Sequence, residues 1–330
     1  MSLPFVVSPQ NLPVESERMS WVQEHLNVHG ALLLRGFGIE STSEFEAFLR
    51  TISPELANVY RGTAPRNAKS QFVYSSTELS GSLPIPQHLE MSFLEGSPSR
   101  LFFYCHVPPE AHGETPIVDF KKVYEELDLK VKQDFENRGV RHIRNYNAPG
   151  KRFSIDLSKL KTWDQVYGTT DVKEIGEKCR AEGQKYSFRG DRSLKLINKS
   201  KAFKSHPITG DTIWFNHTQV FHPEGVVIEA EQIAKRQKSL KQKAVAVFLR
   251  SLYTITKPIL KDERRGTQVT FGDKSKIPIK YIKHIQDVIW KNMVFFPWQR
   301  GDILVLDNYR VSHGRMPFKG AREIQVAWTN

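Results

Sequence analysis

The sequence predicts a mainly β fold, a double-sheet jelly roll with helical insertions. Short apolar runs stand near both ends of the chain, at Gly30-Ala-Leu-Leu-Leu34, Leu101-Phe-Phe-Tyr-Cys105 and Ile303-Leu-Val-Leu306, and runs of this kind bounded by turn residues read as buried strands. Helical periodicity falls at the N-terminus and in the middle. Strands around one core with helices packed outside suit that order. Proline and glycine are spread evenly, with no linker, repeat or low-complexity tract. Residues 1–330 therefore read as one domain, with a largely helical insert around 156–300 between the barrel strands.

Taken in order, Met19 to His29 reads as an amphipathic helix with Trp21, Val22 and Leu26 on one side. A strand follows at Gly30, and Ser43 with Glu46 three later suggests a capping box for the next helix. Residues 55–86 read mostly as loop. Leu101 to Cys105 and Thr115 to Phe120 read as strands, Lys121 to Asn137 as a helix and Val140 to Tyr146 as a strand. Trp163 to Gly183 reads as helical, Ser187 to Asn198 as one or two strands, and Thr212 to Asn216 as a strand after the turn at His206. Glu229 to Tyr253 reads as one long basic helix whose apolar stripe is Ile233, Leu240, Ala244 and Phe248, with lysines and arginines facing solvent or an acidic partner. Ile279 to Asn292 is a further amphipathic helix.

Composition bounds the function. Hydrophobic residues are 39% and charged residues 25% of the 330, ordinary for a soluble globular protein. The longest apolar runs, such as Ala244-Val-Ala-Val-Phe-Leu249, are far too short to span a bilayer. Met1-Ser-Leu-Pro-Phe-Val-Val lacks the features of a secretory signal, so a cytoplasmic protein is expected. Cys105 and Cys179 are too few for a disulfide framework and read as small buried hydrophobes. The net charge of +12, from 48 basic and 36 acidic residues, suits an acidic carrier domain, nucleic acid or simply a lysine-rich surface. No interleaved aromatic and basic motif supports nucleic acid.

Two stretches carry chemistry. Pro84-Ile-Pro-Gln-His88-Leu-Glu90 places an imidazole and a carboxylate two positions apart, on one face of an extended chain. Such a pair supplies two thirds of the 2-His-1-carboxylate triad that holds non-heme Fe(II). At the other end, His313 lies in a turn, Ser312-His-Gly-Arg315, after the strand at Ile303. In Arg322-Glu-Ile-Gln-Val-Ala-Trp328 the arginine shares a face with Ile324, Val326 and Trp328. An arginine on an apolar face needs an anion. That anion is either a protein carboxylate or the far carboxylate of a small diacid beside the metal. His206, His217 and His222 compete for the third ligand position, but His313 alone precedes a strand with an inward arginine.

With His88-x-Glu90, His313 and Arg322 nine positions later, the chain resembles the TauD/TfdA-like family of Fe(II)- and 2-oxoglutarate-dependent dioxygenases. The resemblance runs from about Gly30 to Trp328. Its motifs are Gly30-Ala-Leu-Leu-Leu-Arg-Gly-Phe37, Pro86-Gln-His-Leu-Glu90, Gly113-Glu-Thr-Pro-Ile-Val-Asp119, His206-Pro-Ile-Thr-Gly210 and Asp307-Asn-Tyr-Arg-Val-Ser-His-Gly-Arg315. Tyr60-Arg-Gly-Thr-Ala-Pro-Arg66, Ser76-Thr77-Glu78, Trp214-Phe-Asn216 and Phe296-Pro-Trp-Gln-Arg-Gly-Asp302 look closest to its SyrP-like amino-acid hydroxylase branch. The resemblance implies a double-stranded β-helix of cupin-like form, with His88, Glu90 and His313 on the iron. It implies 2-oxoglutarate as cosubstrate, held by Arg322 and Thr115, and O2 as oxidant. Arg61, Arg66, Asn216 and Arg315 are the substrate candidates. A retained carboxylate at Glu90 implies oxygenation, since the related halogenases carry a small residue there. Taurine dioxygenase itself has a second arginine four after the first; here that position is Val326, which leaves a sulfonate without that anchor. The expected reaction is hydroxylation of an amino-acid-like substrate, free or carrier-tethered. Desaturation, cyclisation, nucleic-acid demethylation and a silent binding protein are the other readings.

Overall fold

The computed structural model describes residues 3–58, 66–76, 79–150, 162–260 and 265–329. The chain opens with β1 (Phe5–Val7), α1 (Arg18–His29), β2 (Ala31–Leu34) and α2 (Thr42–Ile52). Gly30 ends α1 at φ +76°, where a Cβ would stand 2.6 Å from Val311, so both its conformation and its neighbour call for glycine. The capping box of α2 is Ser41 with Glu44, not Ser43 with Glu46: the helix starts two residues earlier because the Ser41 backbone is extended and its hydroxyl reaches the Glu44 amide.

Next come β3 (Tyr74–Ser75), β4 (Ile85–His88), β5 (Arg100–Val107), β6 (Ala111–His112) and β7 (Ile117–Asp119). The helix expected over Lys121 to Asn137 is two, α3 (Phe120–Glu126) and α4 (Leu129–Arg138), broken where Leu127 turns extended. After them lie β8 (Val140–Tyr146), α5 (Trp163–Tyr167), α6 (Val172–Ala181), β9 (Lys185–Phe188), β10 (Leu194–Ser200), β11 (Phe203–Ser205), β12 (Thr212–Trp214) and α7 (Thr218–Phe221). The long basic helix is also two, α8 (Gly225–Gln237) and α9 (Leu240–Ile259), parted at Lys238, which adopts φ +48°. The chain ends with β13 (Thr267–Phe271), α10 (Ile279–Lys291), β14 (Ile303–Asp307), β15 (Val311–Arg315), β16 (Phe318–Lys319) and β17 (Glu323–Thr329). Ser312 to Arg315 is thus strand rather than turn. Its polar side chains are buried with partners, as where the Ser312 hydroxyl donates to Gln87.

One sheet runs β1-β2-β14-β5-β17-β3 and a smaller one β4-β15-β7. Alternate residues of the large sheet serve two cores, which is why its strands read as continuous apolar runs. Leu33, Leu101, Phe103, Leu304, Leu306, Val326 and Trp328 face inward with Ile117 and Val311 of the small sheet. Leu32, Leu34, Phe102, Ile303 and Val305 face outward onto Val22 and Leu26 of α1 and Phe45 and Leu49 of α2. A third sheet, β13-β8-β10-β9, lies between β7 and β14 in sequence. The insert expected around 156–300 thus carries strands β9 to β13 beside its helices, α5 to α10. Cys105 and Cys179 are buried, and burial pushes the Cys105 thiol up to about 12. No described helix is long and apolar enough to cross a membrane.

Candidate active site

The small sheet brings the two ends of the chain together. His88 and His313 are direct partners across the antiparallel β4–β15 pair, and their rings lie 4.3 Å apart between centroids. Gly314 permits this approach: a Cβ there would stand 2.7 Å from the Ile85 carbonyl oxygen. Glu90 lies just past the end of β4, with Leu89 between it and His88 turned into the core. Its Oε2 is 4.0 Å from His313 Nε2. One ligand atom from each of His88, Glu90 and His313 lies within 4.8 Å of the others. Among the described residues this is the cluster suited to a metal.

The surroundings tune these groups as ligands. His88 Nδ1 donates to the Pro86 carbonyl at 2.9 Å, which orients the ring and leaves Nε2 its lone pair. Burial, then the neighbouring His88 and Arg66, push His313 well below the ordinary histidine range, so it stands as a neutral imidazole. Its Nδ1 is buried without a hydrogen-bond partner. The Glu90 main chain hangs from Asn308: its N–H donates to Asn308 Oδ1 at 2.7 Å, and Asn308 Nδ2 donates back to the Glu90 carbonyl at 3.1 Å. Asn308 is fully buried and also donates to the Pro98 carbonyl. Sequence reasoning saw the Asp307-Asn308 turn but gave it no role; a buried asparagine closing a strand was the available signal.

Beside the triad, Arg322 Nη2 donates to Thr115 Oγ1 at 3.2 Å and Nε to the Gly113 carbonyl at 2.9 Å. Trp298 Nε1 donates to the same hydroxyl at 3.1 Å. Thr115 Oγ1 therefore accepts twice, and its own proton is left for another acceptor. Burial, then the Arg315 cation, push Arg322 down to about 9, so it remains charged at neutral pH. No described carboxylate forms an ion pair with it. A half-buried cation without a carboxylate is costly, and the far carboxylate of a bound diacid would satisfy it. A His–Glu–His donor set and a free anion site beside it fit Fe(II) and 2-oxoglutarate.

The substrate candidates divide. Arg66 pairs with Glu90, Nη2 to Oε2 at 2.5 Å, and both side chains are buried. Arg315 is corrected to a structural role: its guanidinium donates to the carbonyls of Leu79, Ser80 and Leu83 and pins that loop. Asn216 is likewise structural. It is fully buried, donates to the Ala202 carbonyl and accepts from the Thr218 amide. Arg61 lies outside the described residues. The competing histidines have other partners: His206 bonds Asp307 at 2.8 Å, His217 bonds Ser92 at 2.7 Å, and His222 accepts from the Glu224 amide. His217 still lies beside the site, 5.7 Å from the His88 ring.

This architecture and donor set define a non-heme iron oxygenase of jelly-roll fold, and the comparisons with known proteins agree. The chain belongs to the family described as taurine catabolism dioxygenase TauD, TfdA, which matches residues 6–328. By that membership it is an iron- and 2-oxoglutarate-dependent dioxygenase. Among its relatives is the dapdiamide synthesis protein DdaC of Enterobacter agglomerans, 29% identical, covering 93% of this chain and 84% of the relative. A clavaminate synthase-like protein of Arabidopsis thaliana is 26% identical, covering 97% and 92%. The PvcB structure from Pseudomonas aeruginosa shares the fold at a TM-score of 0.54 and 11% identity, over 98% of this chain and 85% of that one.

Proposed function

We propose that the protein hydroxylates an unactivated C–H bond of an amino acid or amino-acid-derived substrate, free or on an acidic carrier domain, in cytoplasmic secondary metabolism. In this reading His88, Glu90 and His313 hold Fe(II), and Arg322 and Thr115 hold the far carboxylate of 2-oxoglutarate. The observation that carries the site assignment is the compact His–Glu–His set together with a half-buried Arg322 that no described carboxylate pairs with. The similarity to DdaC, named for dapdiamide synthesis, supports a biosynthetic small molecule. Val326 is fully buried in the inner core, so the position gives a sulfonate no cation.

The chemistry such a centre would supply with iron bound is four-electron reduction of O2, one oxygen atom going into succinate as 2-oxoglutarate loses CO2 and the other into a substrate C–H bond. The chain's own groups do the positioning. The Pro86 carbonyl orients His88, and Asn308 holds the Glu90 backbone. Arg322 and the Thr115 proton receive a carboxylate. The inward face of the large sheet gives the site an apolar wall, with Phe103 4.9 Å from the His313 ring. Arg66, paired with Glu90, places a cation beside the proposed iron ligands.

An anaerobic difference spectrum tests the site: Fe(II) and then 2-oxoglutarate should produce a visible charge-transfer band, absent in His313→Ala. Iron binding without the band would remove Arg322 and Thr115 from the diacid site. For the substrate, succinate release should rise on adding amino acids or aminoacyl carrier domains. An intact band with no response to any of them would sink the amino-acid reading alone.

A further inference from the structure

The outward face of α9 is apolar where the sequence led us to expect lysine. The helix has 20 residues, about 30 Å of length. Gln242, Ala246 and Leu249 are buried, the last two against Val227, Ala230 and Ala234 of α8. Arg250 ties the two helices through Glu231 at 2.8 Å and Glu224 at 3.3 Å. The opposite face carries Leu240, Val247, Phe248, Ile255 and Ile259, which are 82%, 65%, 61%, 63% and 74% exposed. No other described helix exposes more than two large apolar side chains. Leu240, Ala244 and Phe248, the stripe expected to be buried, are all on the exposed side.

The shape and charge of this face suggest its occupant. Phe248 and Ile255 are seven residues apart, as are Ala244 and Ser251, and the two series interleave. Large and small side chains alternating at three- and four-residue steps form ridges and grooves that accept a second helix. Between Gly225 and Ile259 there are seven lysines and arginines against two glutamates. Of those glutamates, Glu229 is buried and Glu231 is paired with Arg250. Lys241, Lys243 and Lys257 are exposed on the same helix. A second copy would bring the same positive rim, and a chain of net charge +12, against itself. A bilayer would favour an unbroken apolar face, whereas Ser251 and Thr254 are exposed within this one.

We propose that the outward face of α9 docks a helix of an acidic partner protein, apolar along one side and carrying Asp or Glu at its edges. The surface is independent of the iron site, although α8 follows directly from α7 and His217 beside His88. The test uses the full chain and a synthetic amphipathic peptide of about 20 residues, with leucines at three- and four-residue spacing flanked by glutamates. A second peptide carries lysine in place of glutamate. The glutamate peptide should bind at least tenfold more tightly than the lysine peptide, and Phe248→Glu should weaken it at least tenfold. Ser251→Glu, which removes no apolar contact, should do the same and covers the case in which Phe248→Glu fails to fold. Retention of the Fe(II)–2-oxoglutarate band in both variants separates this result from any failure of the active-site reading. Equal binding of the two peptides, or none, overturns the proposal. So does sedimentation with anionic phospholipid vesicles that Ser251→Glu abolishes, which would assign the face to a membrane. A dimer dissolved by Ser251→Glu would assign it to self-association and overturns the proposal equally.

Discussion

At the scale of single residues, the anion site makes the sharpest demand. Arg322→Met should leave Fe(II) binding intact and raise the KM for 2-oxoglutarate by roughly 10- to 150-fold, the loss of one or more charged hydrogen bonds at about 1.5–3 kcal/mol each. Thr115→Val removes a neutral donor, so a smaller rise of about tenfold is expected. Unchanged KM in Arg322→Met would mean the diacid lies elsewhere. A second residue titrates usefully. Glu229 is buried on α8, accepts from Trp290 Nε1 at 2.9 Å, and is raised by burial from 4.5 to about 7. Below about pH 4.5 it is neutral whether folded or unfolded. Above pH 7 the folded protein must hold a buried charge, so stability is lost as pH rises through 7. Relative to Glu229→Gln, the wild type should lose roughly 3 kcal/mol between pH 4.5 and 8 in urea denaturation, and parallel curves would refute this. That His88, Glu90 and His313 would converge was legible from spacing and the family motif, and Arg322 from strand alternation, whereas Thr115, which bonds Arg322, was picked out by the family motif alone. Asn216 and Arg315 misled because a polar residue beside a motif looks available until its bonds to backbone carbonyls are seen. Asn308 stayed silent for the same reason: its partners, Glu90 and Pro98, are remote in sequence.

At the scale of elements, the strands were read better than the helix boundaries. Ala31–Leu34, Arg100–Val107 and Ile303–Asp307 announce themselves because both faces are buried and nearly every residue is apolar. The cap of α2 was assigned to the wrong serine because Ser41 and Ser43 each precede a glutamate by three positions, and only backbone geometry chooses between them. Ser41→Ala should therefore cost about 1 kcal/mol in thermal or chemical unfolding, whereas Ser43→Ala should cost little; the reverse order would restore the cap expected from sequence. The α8–α9 error has a different origin. The Ile233–Phe248 stripe was followed across a break at Lys238, and a turn between helices resets the phase of every residue after it. Ser312–Arg315 looked like a turn because burial of a polar strand is invisible until its partners, among them Gln87 and Val118, are in place.

At the scale of the whole molecule, the order of elements carried the fold. Helices then strands at the start and strands at the end required the termini to share a core, and β14 does lie between β2 and β5. In the β13–β8–β10–β9 sheet, Val140 to Tyr146 and Ser187 to Asn198 were read as strands, but Thr267–Phe271 was not, and the pairing of β8 with both β10 and β13 could not be seen from sequence. That the first and last thirds of the chain supply opposite halves of one strand pair has a bearing on how the protein is made. His88 leaves the ribosome long before His313, and the β4–β15 pairing that joins them cannot form until His313, 225 positions later, has also emerged. If His88, Glu90 and His313 hold the iron as proposed, metal uptake must wait for that pairing, and a chain cut before His313 would have no competent centre with which to take metal and begin unproductive oxygen chemistry.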